Sequence, residues 1–173
     1  YGYSFDRWSG SVSGTSSTAT VTMDAQVTVT AHFQVHPDAF EPDDVSSQAG
    51  WLPDRQPQTH SILPVGDTDW ARFYVDSLSQ VVIETSGPED DNTRLCLFDG
   101  KVTRLECDIA SGPGQFSRLD RLCGADALLP VPYYVRTNEY VNDKAVHSYY
   151  IGLAITACWA TEAQSAPAQS SDD

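Results

Sequence analysis

Hydrophobic and polar positions alternate with a period of two along most of the chain, and that pattern predicts strands. Ala19, Val21 and Met23 alternate with Thr20 and Thr22, and Val27, Val29, Ala31 and Phe33 alternate with Thr28, Thr30 and His32. Asp24-Ala-Gln26 reads as the turn between these two runs. Further on, the pattern predicts strands near Thr59–Leu63, Trp70–Ser77, Gln80–Thr85, Thr93–Phe98, Val102–Cys107, Phe116–Leu122, Pro132–Asn138 and Tyr149–Thr156. Turn chemistry separates them at Ser86-Gly-Pro-Glu-Asp-Asp-Asn92, Asp99-Gly100, Ser111-Gly-Pro-Gly114 and Asn142-Asp143. Many short strands without amphipathic helical spacing argue for an all-β chain, an antiparallel β-sandwich of jelly-roll type preceded by a small partial β-repeat unit. Ala125–Leu129 has room for one helical turn. The expected organisation is a repeat unit over residues 1–35, a sandwich over 36–159 and a flexible, apolar-poor tail over 160–173.

Composition narrows the classes of function. Ten Lys and Arg against 24 Asp and Glu give a formal charge of −14, which argues against nucleic acid as a partner because phosphate contacts need a basic surface. No apolar run approaches the length of a bilayer span, so membrane insertion is not expected. Tyr1 is not expected to be a native start, and the chain is expected to be a fragment or mature segment of a longer precursor.

The four cysteines, Cys96, Cys107, Cys123 and Cys158, lack the close pairs of a zinc ribbon. Their even number in an acidic, Ser/Thr-rich chain favours disulfides and an extracellular or cell-surface location. Three connectivities are open; the preferred one joins Cys96 to Cys107 and Cys123 to Cys158. A tight turn at Asp99-Gly100 would place Cys96 opposite Thr103, so the first pair requires a longer loop or a bulge.

The densest chemistry lies in Asp38-Ala-Phe-Glu-Pro-Asp-Asp44 and Val65-Gly-Asp-Thr-Asp-Trp-Ala-Arg-Phe73. Glu41, Asp43, Asp44, Asp67 and Asp69 fall in two turn-forming segments on either side of a predicted strand. Acidic loops of this kind either hydrogen-bond their own turns or hold a hard cation such as calcium, and spacing alone leaves both open. Catalysis finds little support. Neither a G-x-S-x-G elbow nor an H-E-x-x-H helix is present. His32, His36, His60 and His147 are expected to be solvated or turn-bonding, so the chain is expected not to be an enzyme. Tyr133, Tyr134, Tyr140, Tyr149 and Tyr150 could line a binding face, but neighbouring strand residues point to opposite faces, so one of each adjacent pair is expected in the core.

The motif D-x-[FY]-E-P-D-D, followed by H-S-I-x-P-x-G-D-x-D-W-x-R-F, resembles the start of the bacterial pre-peptidase C-terminal domain. The likeness continues through Thr93–Gly100, Ser117–Leu119, Pro132–Arg136 and Ser148–Leu153, and spans about residues 38 to 158. Gly2–Gly10, Thr20–Asp24 and Val29–Phe33 resemble the C-terminal part of a divergent internalin-type B-repeat. These resemblances imply a non-catalytic accessory module of a secreted or surface-anchored bacterial protein. They leave two alternatives: a structural subunit of a surface fibre or stalk, and a module that targets a hydrolase to polysaccharide or a collagen-like polymer. The implied partners are other domains of the same precursor, an extracellular polymer, or identical subunits. In collagenase relatives the matching E-P-x-D segment and later aspartates supply calcium ligands, which implies calcium at Glu41, Asp43, Asp44, Asp67 and Asp69. This chain carries Ala39 where those relatives have another acidic ligand, and its Asp67-Thr-Asp69 is more closely spaced than their aspartate pair. Both departures weigh against a double site.

Overall fold

The computed structural model describes residues 2–88, 91–123 and 131–158. Among them are eleven strands and no helix: β1 (Gly2–Gly10), β2 (Val29–His36), β3 (Gly50–Trp51), β4 (Gln58–Ile62), β5 (Asp69–Val75), β6 (Ser79–Ser86), β7 (Thr93–Phe98), β8 (Arg104–Asp108), β9 (Arg118–Cys123), β10 (Val131–Glu139) and β11 (Val146–Ala157). β1 and β2 pair alone. A five-stranded sheet runs β3-β5-β10-β7-β8 and a four-stranded sheet runs β4-β11-β6-β9. All pairings are antiparallel except the two-residue contact of β3 with β5.

Alternation decides which residues meet between the two larger sheets. Ala71, Phe73 and Val75 of β5, Leu95 and Leu97 of β7, and Tyr133 and Val135 of β10 point inward. They meet Val81 and Ile83 of β6, Leu119 of β9, and Tyr149, Ile151 and Leu153 of β11. Each fully buried aliphatic or aromatic side chain here contributes roughly 1.5–3 kcal/mol relative to exposure. A buried polar knot also crosses between the sheets. Thr85 Oγ1 of β6 lies 2.6 Å from Thr93 Oγ1 of β7, and Ser117 donates from its N to Thr85 Oγ1 at 3.0 Å and from its Oγ to the Thr93 carbonyl at 2.6 Å. Asp108 holds the passage from β8 to β9 by accepting from the backbone N–H groups of Ala110, Ser111 and Arg118.

The first unit differs from the sequence reading. Thr20–Met23 is not a strand, and β2 pairs instead with β1 over Gly2–Gly10. Met23 is 76% exposed, so the alternating side chains of that run have no sheet face to pack on, and alternation without burial does not hold a strand. The predicted helical turn at 125–129 and the tail over 160–173 lie outside the described residues. β8 starts at Arg104 because Asp99 Oδ1 accepts from Lys101 N at 2.9 Å and Thr103 N at 2.7 Å, which turns Val102 into the left-handed region at φ 60°.

That longer loop, with an irregularity between Leu97 and Phe98, sets Cys96 opposite Cys107, and the two form a disulfide. The expected Cys123–Cys158 bond is absent. Ser79 of β6 pairs with Ala157 on one side and with Cys123 on the other. A whole strand therefore separates the two backbones, about 9–10 Å at ordinary strand spacing, whereas a disulfide needs Cα atoms within about 7 Å. Cys123 is buried and its thiol is pushed up to about 11, first by burial, whereas Cys158 is exposed. Mapping without reduction should therefore recover one linkage, Cys96–Cys107. Native alkylation should label Cys158 promptly and Cys123 only on unfolding. Reduction should destabilise the sandwich by about 3 kcal/mol on the chain-entropy account. A recovered Cys123–Cys158 peptide would contradict this arrangement.

Candidate metal centre

The two acidic segments meet at one end of the sandwich. The first enters β-structure only at β3, yet it is pinned to the strands around it. Asp38 Oδ2 accepts from Ser61 N of β4 at 2.5 Å and from Ser61 Oγ at 3.1 Å, and the Asp43 carbonyl accepts from Trp70 N of β5 at 3.0 Å. The second segment forms the β4–β5 turn. Asp67 closes it by accepting from Leu63 N at 2.8 Å and Thr68 N at 2.9 Å, and Asp69 opens β5. Pro42 and Pro64 have no backbone N–H to give a ladder, which keeps both segments out of the sheets.

Glu41, Asp67 and Asp69 each present a carboxylate oxygen within 4.8 Å of the others. Asp43 lies beside them, 1% exposed, with neither carboxylate oxygen hydrogen-bonded, and Asp69 Oδ1 is also unpartnered. Asp44 stands exposed at the rim, where it joins Glu41 and Asp67 around a shallow depression with Pro42 and Pro64. The five sequence-predicted residues thus come together, Asp43 and Asp69 buried inside the cluster and Glu41 and Asp67 reaching from it to the mouth where Asp44 stands.

Two members were missed. Asp38 and His60 form a second group with Asp69, again with ligand atoms within 4.8 Å. His60 was expected to be solvated or turn-bonding. Instead it is 2% exposed, stacked on Phe40 at 4.2 Å between ring centroids, with Tyr149 5.7 Å away. Its Nδ1 faces Asp43 Oδ2 at 3.9 Å and Asp69 Oδ2 at 4.0 Å. The available signal was its position two residues before Ile62 on an inward-facing stretch of β4, where a polar residue needs a buried partner. The other histidines behave as expected of surface residues: His32 pairs with Ser9, His36 with Ser4, and His147 lies against Tyr3. Of the tyrosines, Tyr133 and Tyr149 are core residues while Tyr140 and Tyr150 are exposed. Tyr149 donates its hydroxyl to Asp69 Oδ2 at 2.6 Å, linking the four-stranded sheet to the five-stranded one.

Electrostatics sets this cluster apart. Burial first, then the neighbouring carboxylates, pushes Asp43 up to about 8. Burial raises Asp67 to about 7 against the opposing bonds from Leu63 and Thr68, and it raises Asp69 well above the ordinary range. Burial lowers His60 to about 4, although Asp38 opposes it. Buried acceptors that face one another with no donor between them fit a cation.

The comparisons with known proteins agree with the fold. Residues 1–37 match the family model described as the divergent InlB B-repeat domain. The chain is similar in structure to the pre-peptidase C-terminal domain of a collagenase from Bacillus anthracis, at 16% identity and a TM-score of 0.50, covering 65% of this chain and 97% of that one. No curated protein matches the chain. The chain therefore joins a unit that matches the divergent B-repeat model to a sandwich with the fold of a pre-peptidase C-terminal domain.

The shifted groups predict a pH dependence in the presence of chelator. Asp43 and Asp67 have folded pKa values above their unfolded ones, so the stability they contribute is complete below about 4 and is lost as pH rises toward 7 to 8. His60 acts oppositely, since its lowered value withdraws stability as pH falls from about 6.5 toward 4. Above about 6.5 only the carboxyl groups act. The melting temperature should therefore fall between pH 6.5 and 8, and Asp43→Asn should flatten that slope. A rising melting temperature over that window would refute the assignment.

Proposed function

We propose that this chain is a non-catalytic accessory module of a secreted or surface-anchored bacterial protein, and that a calcium ion locks its sandwich. The observation that carries the reading is the buried carboxylate cluster with unpartnered oxygens on Asp43 and Asp69. Those oxygens, with Glu41 and Asp67, would hold the ion, and Asp44 at the rim would complete or screen it. A bound dication would neutralise mutually repelling carboxylates and so fix the acidic segments against β4 and β5. The role is structural because the cluster lies at a junction of elements and offers no nucleophile beside a general base. The B-repeat match and the sandwich fold support placement outside the cell. On this reading residues 1–35 are a repeat unit and 36–159 the module, and its partners are the other domains of its precursor.

Calorimetry on chelator-treated protein tests the calcium assignment. Calcium should bind with a dissociation constant of about 1 mM or tighter. At a hundredfold excess over that constant it should stabilise the fold by about 2.7 kcal/mol, a rise of several degrees in melting temperature. Asp43→Asn should abolish the calcium response while raising the melting temperature in chelator. Absence of heat and of any melting shift at millimolar calcium would leave only the turn-capping role for these carboxylates.

A further inference from the structure

The inner end of the cluster has a different chemistry from its mouth. Gln58 donates its side-chain amide from Nε2 to the Trp51 carbonyl at 2.9 Å, and a carbonyl can only accept. That contact fixes the amide's orientation and turns Gln58 Oε1 toward His60 Nε2, 3.4 Å away. Nε2 must then carry the hydrogen, which leaves the lone pair on Nδ1. Nδ1 is buried and unpartnered, and it points at Asp43 Oδ2 and Asp69 Oδ2. Separations of 3.9 and 4.0 Å are too long for hydrogen bonds. Ligand atoms about 2.1 Å from one tetrahedral ion lie about 3.4 Å apart, so these groups would draw together by about half an ångström on binding one. Stacking on Phe40 and the neighbouring Tyr149 ring hold the imidazole in place, and the Gln58 contact supplies the outer partner that metal-bound histidines use.

We infer that His60 Nδ1, with Asp38 and Asp69, whose ligand atoms lie within 4.8 Å of one another, and with Asp43 beside them, forms a nitrogen–oxygen site for a transition-metal dication of the zinc or cobalt class. Calcium takes oxygen ligands, whereas imidazole with carboxylates suits the borderline ions. A neutral imidazole is the metal-binding form, and the burial that disfavours its protonation works in the same direction. The inference rests on the cluster being a cation site, but not on which ion the outer carboxylates take.

The test titrates chelator-stripped full chain with Zn2+, Co2+ and Ca2+ separately, by calorimetry and, for Co2+, by its visible absorption. Wild type should bind one Zn2+ at this site at least about ten times more tightly than Ca2+. His60→Gln should weaken Zn2+ by more than about 100-fold, beyond what losing an outer partner costs, and remove the Co2+ bands, leaving Ca2+ affinity within about twofold. A chain carrying His32→Gln, His36→Gln and His147→Gln keeps His60 as its sole histidine. It should retain full Zn2+ affinity, and the single imidazole's 15N resonances should report the metal at Nδ1, a readout that holds even where His60→Gln fails to fold. Zn2+ binding unchanged by His60→Gln, or an unshifted Nδ1 in the sole-histidine chain, would overturn the inference. Loss of calcium binding with Zn2+ binding intact would instead overturn the calcium assignment alone.

Discussion

Carboxyl groups brought out of water, with no arginine or lysine ion pair to them recorded among the described residues, are the constraint around which this end of the sandwich is organised. Asp38, Asp43, Asp67 and Asp69 are all buried, and His60 is buried among them. The ion pairs of the described residues that use arginine or lysine lie elsewhere, at Arg118–Glu84, Arg121–Glu106 and Lys144–Asp91 among others. Burying an ionised carboxylate costs several kcal/mol unless it is paired, bonded or neutralised. The chain meets that cost in three ways. Asp38 and Asp67 accept backbone N–H groups, Asp69 accepts the Tyr149 hydroxyl, and Asp43 is left to a proton or to an ion.

The rest of the fold supplies the rigidity that such a cluster requires. The two sheets close over one apolar core, and hydrogen bonds that use side chains join them at separate points, through Tyr149–Asp69 at the acidic end and through Thr85–Thr93 and Ser117 elsewhere. The Cys96–Cys107 disulfide staples the five-stranded sheet at its β7–β8 edge. Acidic segments without regular structure are thereby held against strands, so their carboxylate oxygens can keep their mutual distances. Pre-organisation of that kind is what allows a site built largely on turns to be specific.

The sequence alone determined the strands whose alternation is backed by burial. β7 was placed to the residue, and β4, β5, β6, β9, β10 and β11 to within a few positions, because inward Val, Ile, Leu and Phe recur every second residue. It also determined that Glu41, Asp43, Asp44, Asp67 and Asp69 belong to two turns flanking one strand, since proline, glycine and aspartate carry their turn chemistry locally. Tertiary structure decided the rest. Thr20–Met23 has a strand's alternation but gained no partner. Cys123 and Cys158 were divided by β6, a relation of sheet order that no spacing along the chain encodes. His60 looked like any histidine on a strand. Only the packing of β4 beside β11, with Asp69 of the opposite sheet bonded to Tyr149, turned its ring into a buried lone pair facing carboxylates. Local periodicity fixes which residues face inward, whereas what they face depends on contacts between segments distant in sequence.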